Sequence, residues 1–426
     1  MTIQIFVDNS GYHLLNMGDV AMLQAALTRL RRLWPQADVH IITIAPERLA
    51  RYCPQAQPLS TSGRLPWLYP WNILGASHRL LPSSTHQYLR DFETYVRMTK
   101  PDLARRWVNF RLSQRGKDLK EMHDFLDLLL GADLVIATGG GFITDAFESR
   151  GVTILETLRT GKSGGAVTAM LGQGLGPVTT PGLKKMLKRT VSTLDFISLR
   201  EGRAGVQFLS EFDVADSRVM VTGDDAIELA YQATPEELGN AMGINVRIAS
   251  YSGVSATDTD IIGHSVIEAS INHDAPLISV PIAMNPTGSD DNQSFQKLAG
   301  TLPDGHGEGI DSPEEVLKQV GRCRIVITGS YHAGVFALSQ GISVVGLAKS
   351  AYYHDKFLGL AEQFGIGCHV IDLNDQNFSG KLAAAIDRAW VEAPQVRTQL
   401  LEAAVRQIKL GQTAYNRLHS LVTQSH

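Results

Sequence analysis

Residues 327–341, ITGSYHAGVFALSQG, place His332 directly after an apolar run and at the head of a small-residue helix. An imidazole titrates near neutral pH, so it can both give and take a proton. In a parallel α/β sheet, strand tips are where side chains meet a ligand. The competing reading of His332 is a histidine enclosed in the core; its place at a strand tip favours proton transfer. Ser330 and Tyr331 add two hydroxyls there, and the start of the next helix adds backbone N–H groups. Glycines 139, 140 and 141 follow another apolar run, LVIAT, with Asp145 just beyond them. Such a run either lets N–H groups close on an anion or makes a tight strand-to-helix turn. No Gly-Lys-Ser/Thr follows it, and GQGLGP at 172–177, which carries Gln173, lacks the dinucleotide glycine spacing. Arg200, at the end of ISLRE, either closes a salt bridge on the sheet rim or clamps a carboxylate or phosphate with its forked guanidinium. Asn16, Gly18 and Asp19 open a helix after the first apolar run, as simple caps or as groups facing a ligand. Together these residues suit acid–base chemistry on an anionic ligand.

The elements that must position them alternate strand and helix almost throughout. Apolar runs at IQIFVDN, 39–46, 132–141, 165–174, 195–201 and 217–226 read as strands, each with a helical pattern after it. Their continuous apolar character is that of a parallel sheet covered on both faces. Residues 232–243, QATPEELGNAMG, read as a linker, and a second series begins with strands at 244–249, 275–284, 324–330, 342–350 and 368–373. Two helical stretches, 379–391 and 395–424, close the chain. The expected fold is α/β, with two Rossmann-like domains facing a cleft: 1–233, 243–392, and a C-terminal helix 393–426 able to pack back across them.

Residues 54–130 break the rhythm, with no strand signal and with Trp67, Trp71 and Trp107. They form either a helical insertion packed by its aromatics or a surface for a glycan or an anionic lipid head group. The 426 residues exceed one core and carry 39 basic against 43 acidic groups, net −4, so nothing global points to nucleic acid. Cys53, Cys323 and Cys368 are far apart, without metal-site spacing, as in a reducing compartment. The opening MTIQIFVDNSGYH is not a secretory signal, and no apolar stretch approaches the roughly 20 residues of a membrane span. A cytoplasmic protein is expected, with the inner face of the membrane as an alternative station.

The strand-tip sequences NMGDVAMLQAAL (16–27), LVIATGGGFITD (134–145), GQGLGP (172–177), ISLREGRAGVQFL (197–209), VTGDDAIEL (221–229), the stretch from 327 onward and YYHDK (352–356) resemble the polysaccharide pyruvyl transferase family. Their order and spacing agree over most of the chain, with 54–130 outside the resemblance. The resemblance implies a GT-B-like fold and transfer of the enolpyruvyl carbons of phosphoenolpyruvate onto two sugar hydroxyls, with no metal and no cofactor beyond that co-substrate. The implied acceptor is a sugar in a glycan or lipid-linked precursor, with peripheral membrane contact as a corollary. It implies His332 as acid–base group and Asp145 as its orienter or that of a sugar hydroxyl. Arg200, Gly140, Gly141, Ser330, Tyr331 and Lys356 are then donor contacts, and Asn16, Asp19 and Gln173 substrate contacts. One position departs: Ser330 stands where the family usually has arginine. Either Arg324, Lys349 or Lys356 supplies the charge, or the donor differs (a nucleotide sugar, for example), or the chain binds without catalysis.

Overall fold

The computed structural model describes residues 2–9, 11–68, 82, 85–114, 118–246, 252–284, 290–299 and 309–425. The first sheet contains β1 (Gln4–Asp8), β2 (Asp38–Thr43), β3 (Gln57–Ser60), β4 (Leu134–Ala137), β5 (Gly140–Ile143), β6 (Val167–Leu175), β7 (Phe196–Leu199) and β8 (Val219–Val221). Its order is β3-β2-β1-β4-β6-β7-β8, with β5 paired to the end of β6. The second sheet contains β9 (Ala241–Asn245), β10 (Leu277–Ser279), β11 (Cys323–Thr328), β12 (Ser343–Ala348) and β13 (Cys368–Asp372), in the order β10-β9-β11-β12-β13. Every pairing within the two sheets is parallel. The strand order reverses between β1 and β4 and again between β9 and β11, which opens a crevice at the carboxyl edge of each sheet. β-Branched runs such as IVIT in β11 are buried along most of their length, the pattern helices on both faces impose.

Three expectations differ from the structure. β3 lies inside 54–130; its sequence QPLS carries Pro58 and little apolar signal, which an edge strand tolerates. The strand expected at 244–249 begins earlier, at Ala241, and its end past 246 lies outside the described residues, as does Trp71. The two terminal helices are one, Phe378–Ser425, running through Pro394. Proline removes the N–H that would reach Trp390 O, and Arg324 Nε donates to that carbonyl instead, at 3.0 Å. The guanidinium also stacks on the Trp390 ring, 5.0 Å from its centroid.

That helix buries Leu382, Ile386 and Ala389 in the apolar cluster of the second sheet, and Leu400, Ala404, Tyr415 and Leu418 in a cluster that runs through both halves. A buried polar knot fixes its far end. Arg29 donates to Asp225 at 2.5 Å and Glu228 at 2.6 Å, and Tyr415 Oη donates to Asp225 at 2.9 Å. The insertion contributes helices His86–Thr99, Pro101–Ser113 and Lys120–Leu130, with Trp67 buried beneath them. Among the described residues no helix is long and apolar enough to cross a membrane.

Candidate active site

A cleft of about 320 Å³ lies where the carboxyl edges of the sheets meet. Backbone bonds close one side of it: Met17 N donates to Ile282 O at 2.8 Å, and Met284 N to Leu15 O at 2.9 Å. Ser330 ends the turn after β11 and precedes helix Tyr331–Ser339, so His332 stands in that helix's first turn. Opposite, Asn16 caps helix Met17–Leu33, its side-chain oxygen accepting from Gly18 N at 3.0 Å and Asp19 N at 3.1 Å. Gly18 is pressed onto the imidazole: a Cβ there would sit 2.1 Å from His332 Cγ and 2.2 Å from Nδ1. Only a hydrogen fits. Gly18→Ala is therefore expected to lower turnover by about 100-fold by displacing the ring, although alanine is the better helix former by about 0.5–1 kcal/mol. Steady-state kinetics beside a melting curve check this: low turnover, with a melting temperature lowered because overpacking of about 1–3 kcal/mol exceeds the helix gain, is the expected pair.

His332 Nε2 faces Asp224 Oδ2 at 3.7 Å, beyond hydrogen-bond range, where a protonated ring and the carboxylate attract one another. Arg200 Nη1 approaches the same carboxylate oxygen at 3.6 Å. Burial alone would raise the Asp224 carboxyl; the His332 ring, the Arg200 charge and the Ala226 N–H outweigh it and hold it below the ordinary value. Arg200 is buried and stacks on Tyr331, with Cζ 4.1 Å from the ring centroid. Burial pushes the Tyr331 hydroxyl far up, so it is neutral. Arg200 Nε, Asp224 Oδ2, Tyr331 Oη and His332 Nε2 are all buried without a hydrogen-bond partner. Four such atoms together are unusual away from a functional site.

The glycine run is a strand edge rather than a loop. β5 pairs with β6, and Gln173 Nε2 donates to Gly140 O at 2.5 Å. A Cβ at Gly141 would meet both Arg200 Nη2 and Lys356 Nζ at 2.8 Å, and one at Gly174 would meet Arg200 Nε at 2.8 Å. The bare backbone lets two cations converge on one wall. Tyr352 holds this corner, donating to Gly141 O at 2.8 Å while Lys356 donates to its oxygen.

Of the residues singled out by sequence, His332, Arg200, Gly141, Ser330, Tyr331, Lys356, Asn16 and Asp19 line the cleft. Gly140 and Gln173 stand behind that wall, hydrogen-bonded to each other. Asp145 is elsewhere. Its carboxylate accepts from Thr179 N at 2.8 Å, Thr180 N at 3.0 Å and both hydroxyls, tying down the turn after β6. It orients neither His332 nor a group in the cleft. The substitutes for the missing arginine also separate: Arg324 serves Trp390 O and Lys349 pairs with Asp258 at 2.5 Å, leaving Lys356 in the cleft. Sequence reasoning passed over Arg150, which lines the cleft from helix Glu148–Ser163, and Asp224. Asp224 had a signal, the GDDA after β8. Its two aspartates part company, Asp224 toward His332 and Asp225 toward Arg29 and Tyr415.

Tyr12, Phe147 and Arg150 also line a second, larger groove of about 1040 Å³ between helices His86–Thr99 and Glu148–Ser163. Glu156 is enclosed in its wall although part of its surface faces the groove; burial pushes its carboxyl from 4.5 up to about 7, against the opposing pull of Arg97 and Arg159. The raised folded value means that ionisation destabilises the fold. Stability is fullest below about pH 4.5, falls as pH rises toward 7, and is flat beyond, a loss of about 1–3 kcal/mol. Melting temperatures at pH 5 and pH 8 check it: Glu156→Gln is expected to remove this part of the decline.

The sequence profile of the polysaccharide pyruvyl transferase family matches residues 16–350. The chain belongs to this family. The matched range takes in the cleft residues from Asn16 to His332 and ends just before Tyr352 and Lys356. No curated protein matches the chain. Among solved structures, a protein of Listeria monocytogenes described as a UDP-N-acetylglucosamine 2-epimerase is similar at 12% identity and TM-score 0.55, over 98% of this chain and 95% of that one. The UDP-GlcNAc 2-epimerase of Neisseria meningitidis bound to UDP-GlcNAc gives 12%, TM-score 0.52 and coverage of 99% and 100%. Anabaena Alr3699/HepE in complex with UDP gives 11%, TM-score 0.50 and full coverage of both chains. At such identities the likeness speaks to fold alone, and the fold is GT-B: this pyruvyl transferase family member is a two-domain α/β protein.

Proposed function

We propose that the chain transfers a pyruvyl group from phosphoenolpyruvate to two hydroxyls of one sugar in a glycan or glycolipid precursor, forming a cyclic ketal. The observation that carries this reading is the convergence of Arg200 and Lys356 on Gly141 in the cleft that also holds His332. Phosphoenolpyruvate is small and carries a carboxylate and a phosphate, which two fixed cations and the start of helix Tyr331–Ser339 suit. Lys356, with Arg150 at the rim, takes the place of the arginine that Ser330 replaces.

His332 gives its proton to C3 of the donor, turning the methylene into a methyl group and leaving C2 electrophilic. The first sugar hydroxyl adds to C2 and its proton returns to the imidazole. The second hydroxyl then displaces phosphate, which carries away the remaining proton. Asp224 stabilises the imidazolium, and Arg200 the negative charge on the donor. Asn16 and Asp19 face the cleft from the other half, where the acceptor hydroxyls enter. The reaction needs no group beyond these side chains and the two substrates, and it would proceed on the cytoplasmic side of a membrane where precursor sugars are built. The stoichiometry tests the reading: one phosphate released from phosphoenolpyruvate per ketal carbon appearing in the acceptor by carbon NMR. Phosphate release without a ketal would leave only a hydrolase.

A further inference from the structure

The insertion carries an exposed face that the chemistry above does not use. On helix His86–Thr99, Tyr88 is 77% exposed and Tyr95 63%, with Phe92 between them; the three follow helical spacing along one side. On the next helix, Pro101–Ser113, Leu103 is 61% exposed and shares a side with exposed Trp107 and Phe110, whose rings lie 6.2 Å apart. The inner sides of this second helix are ordinary: Ala104, Val108 and Leu112 are buried in the core. Six large apolar side chains turned outward on two adjoining helices exceed the scatter normal on a protein surface.

The charges around them decide what covers the face. From His86 to Ser113 there are six basic residues against three acidic ones, in a chain whose net charge is −4. Two of the three acids are engaged, Glu93 buried with Arg97 and Asp91 paired with Lys185 at 2.5 Å, and two of the bases likewise, Arg97 with Glu93 and Arg105 with Asp127. Lys100 and Arg106 are exposed beside the aromatics. A second copy meeting this face would set Lys100 and Arg106 of both copies against one another, which disfavours that partner. An anionic lipid surface attracts them, at about 1 kcal/mol per basic residue near the surface, and tyrosine and tryptophan favour the head-group level.

We infer that the outward face of helices His86–Thr99 and Pro101–Ser113 docks the protein on a bilayer bearing anionic head groups. The first of these helices also supplies Arg90, Glu93, Thr94 and Arg97 to the large groove, which meets the cleft at Tyr12, Phe147 and Arg150. Docking there sets groove and cleft beside the membrane, in reach of a sugar carried on a lipid. The inference holds whatever the donor is, because the contact involves no residue of the cleft.

Flotation of the full chain with vesicles tests it, using phosphatidylcholine alone and phosphatidylcholine with roughly one-third phosphatidylglycerol, neither needing substrate. The wild-type chain is expected to float with the anionic vesicles. The triple variant Tyr88→Ser, Phe92→Ser, Tyr95→Ser is expected to lose about tenfold or more of that partition, and Lys100→Glu with Arg106→Glu a similar amount, at unchanged melting temperature. A wild-type chain that stays with the soluble fraction overturns the inference, as do variants that float like wild type. So does a solution dimer that the triple variant splits, which would assign the face to a second copy.

Discussion

Replacing His332 by glutamine is expected to lower turnover by about 1,000-fold or more, with the melting temperature held within a few degrees of wild type. Glutamine keeps a polar side chain of similar reach beside Gly18 and Asp224 but cannot carry a proton to carbon. The size follows from what is lost: proton transfer in the transition state contributes about 100- to 10,000-fold. His332 is buried against Gly18 and Tyr331, and glutamine keeps much of that volume filled. The His332 Nε2 has no hydrogen-bond partner and lies 3.7 Å from Asp224, so its removal breaks no hydrogen bond at that atom. Turnover and melting curves on the same preparation separate the two effects. A variant retaining a tenth of wild-type turnover would remove His332 from the chemistry.

The second large effect is on both axes at once. Arg200→Met is expected to lower kcat/KM by about 1,000-fold and also to destabilise the fold by about 3–5 kcal/mol. The guanidinium is buried, faces Asp224 at 3.6 Å and stacks on Tyr331. Without it, the buried Asp224 carboxylate loses its permanently charged neighbour, since His332 is charged only when protonated. Arg200→Lys should recover most of the stability and little of the activity. A lysine supplies the charge, but neither the flat face that meets Tyr331 nor the forked donors that hold a carboxylate. Urea denaturation and steady-state kinetics on both variants check this. Equal activity in the lysine variant and wild type would show that charge alone matters.

What the sequence revealed of the site follows from sheet geometry. In parallel sheets the carboxyl ends of strands share one edge, so a residue placed just after an apolar run, such as Arg200 or His332, falls in the cleft without any knowledge of contacts. Asp145 met the same criterion and failed it. It follows a strand, but Thr179 and Thr180, brought back by the end of β6, occupy its carboxylate. Such capture depends on chain neighbours 34 and 35 residues away. Arg150 was hidden for the opposite reason: it sits on a helix, where periodicity cannot tell a cleft-facing arginine from a solvated one. The break expected between 391 and 395 failed similarly, since the compensating donor, Arg324, lies 66 residues before Trp390, whose carbonyl it serves. Gly18 was visible as a helix opener, but its reason for being glycine is the imidazole of a residue in the other half of the chain.

The most direct measurement is calorimetric titration of the wild-type chain and Arg200→Lys with phosphoenolpyruvate, beside a panel of nucleotide sugars. Pyruvyl transfer requires that phosphoenolpyruvate bind the wild-type chain, bind the lysine variant more weakly, and outcompete every nucleotide sugar for the cleft. No heat with phosphoenolpyruvate, together with saturable binding of one nucleotide sugar, would contradict the account and make Ser330 the mark of a changed donor.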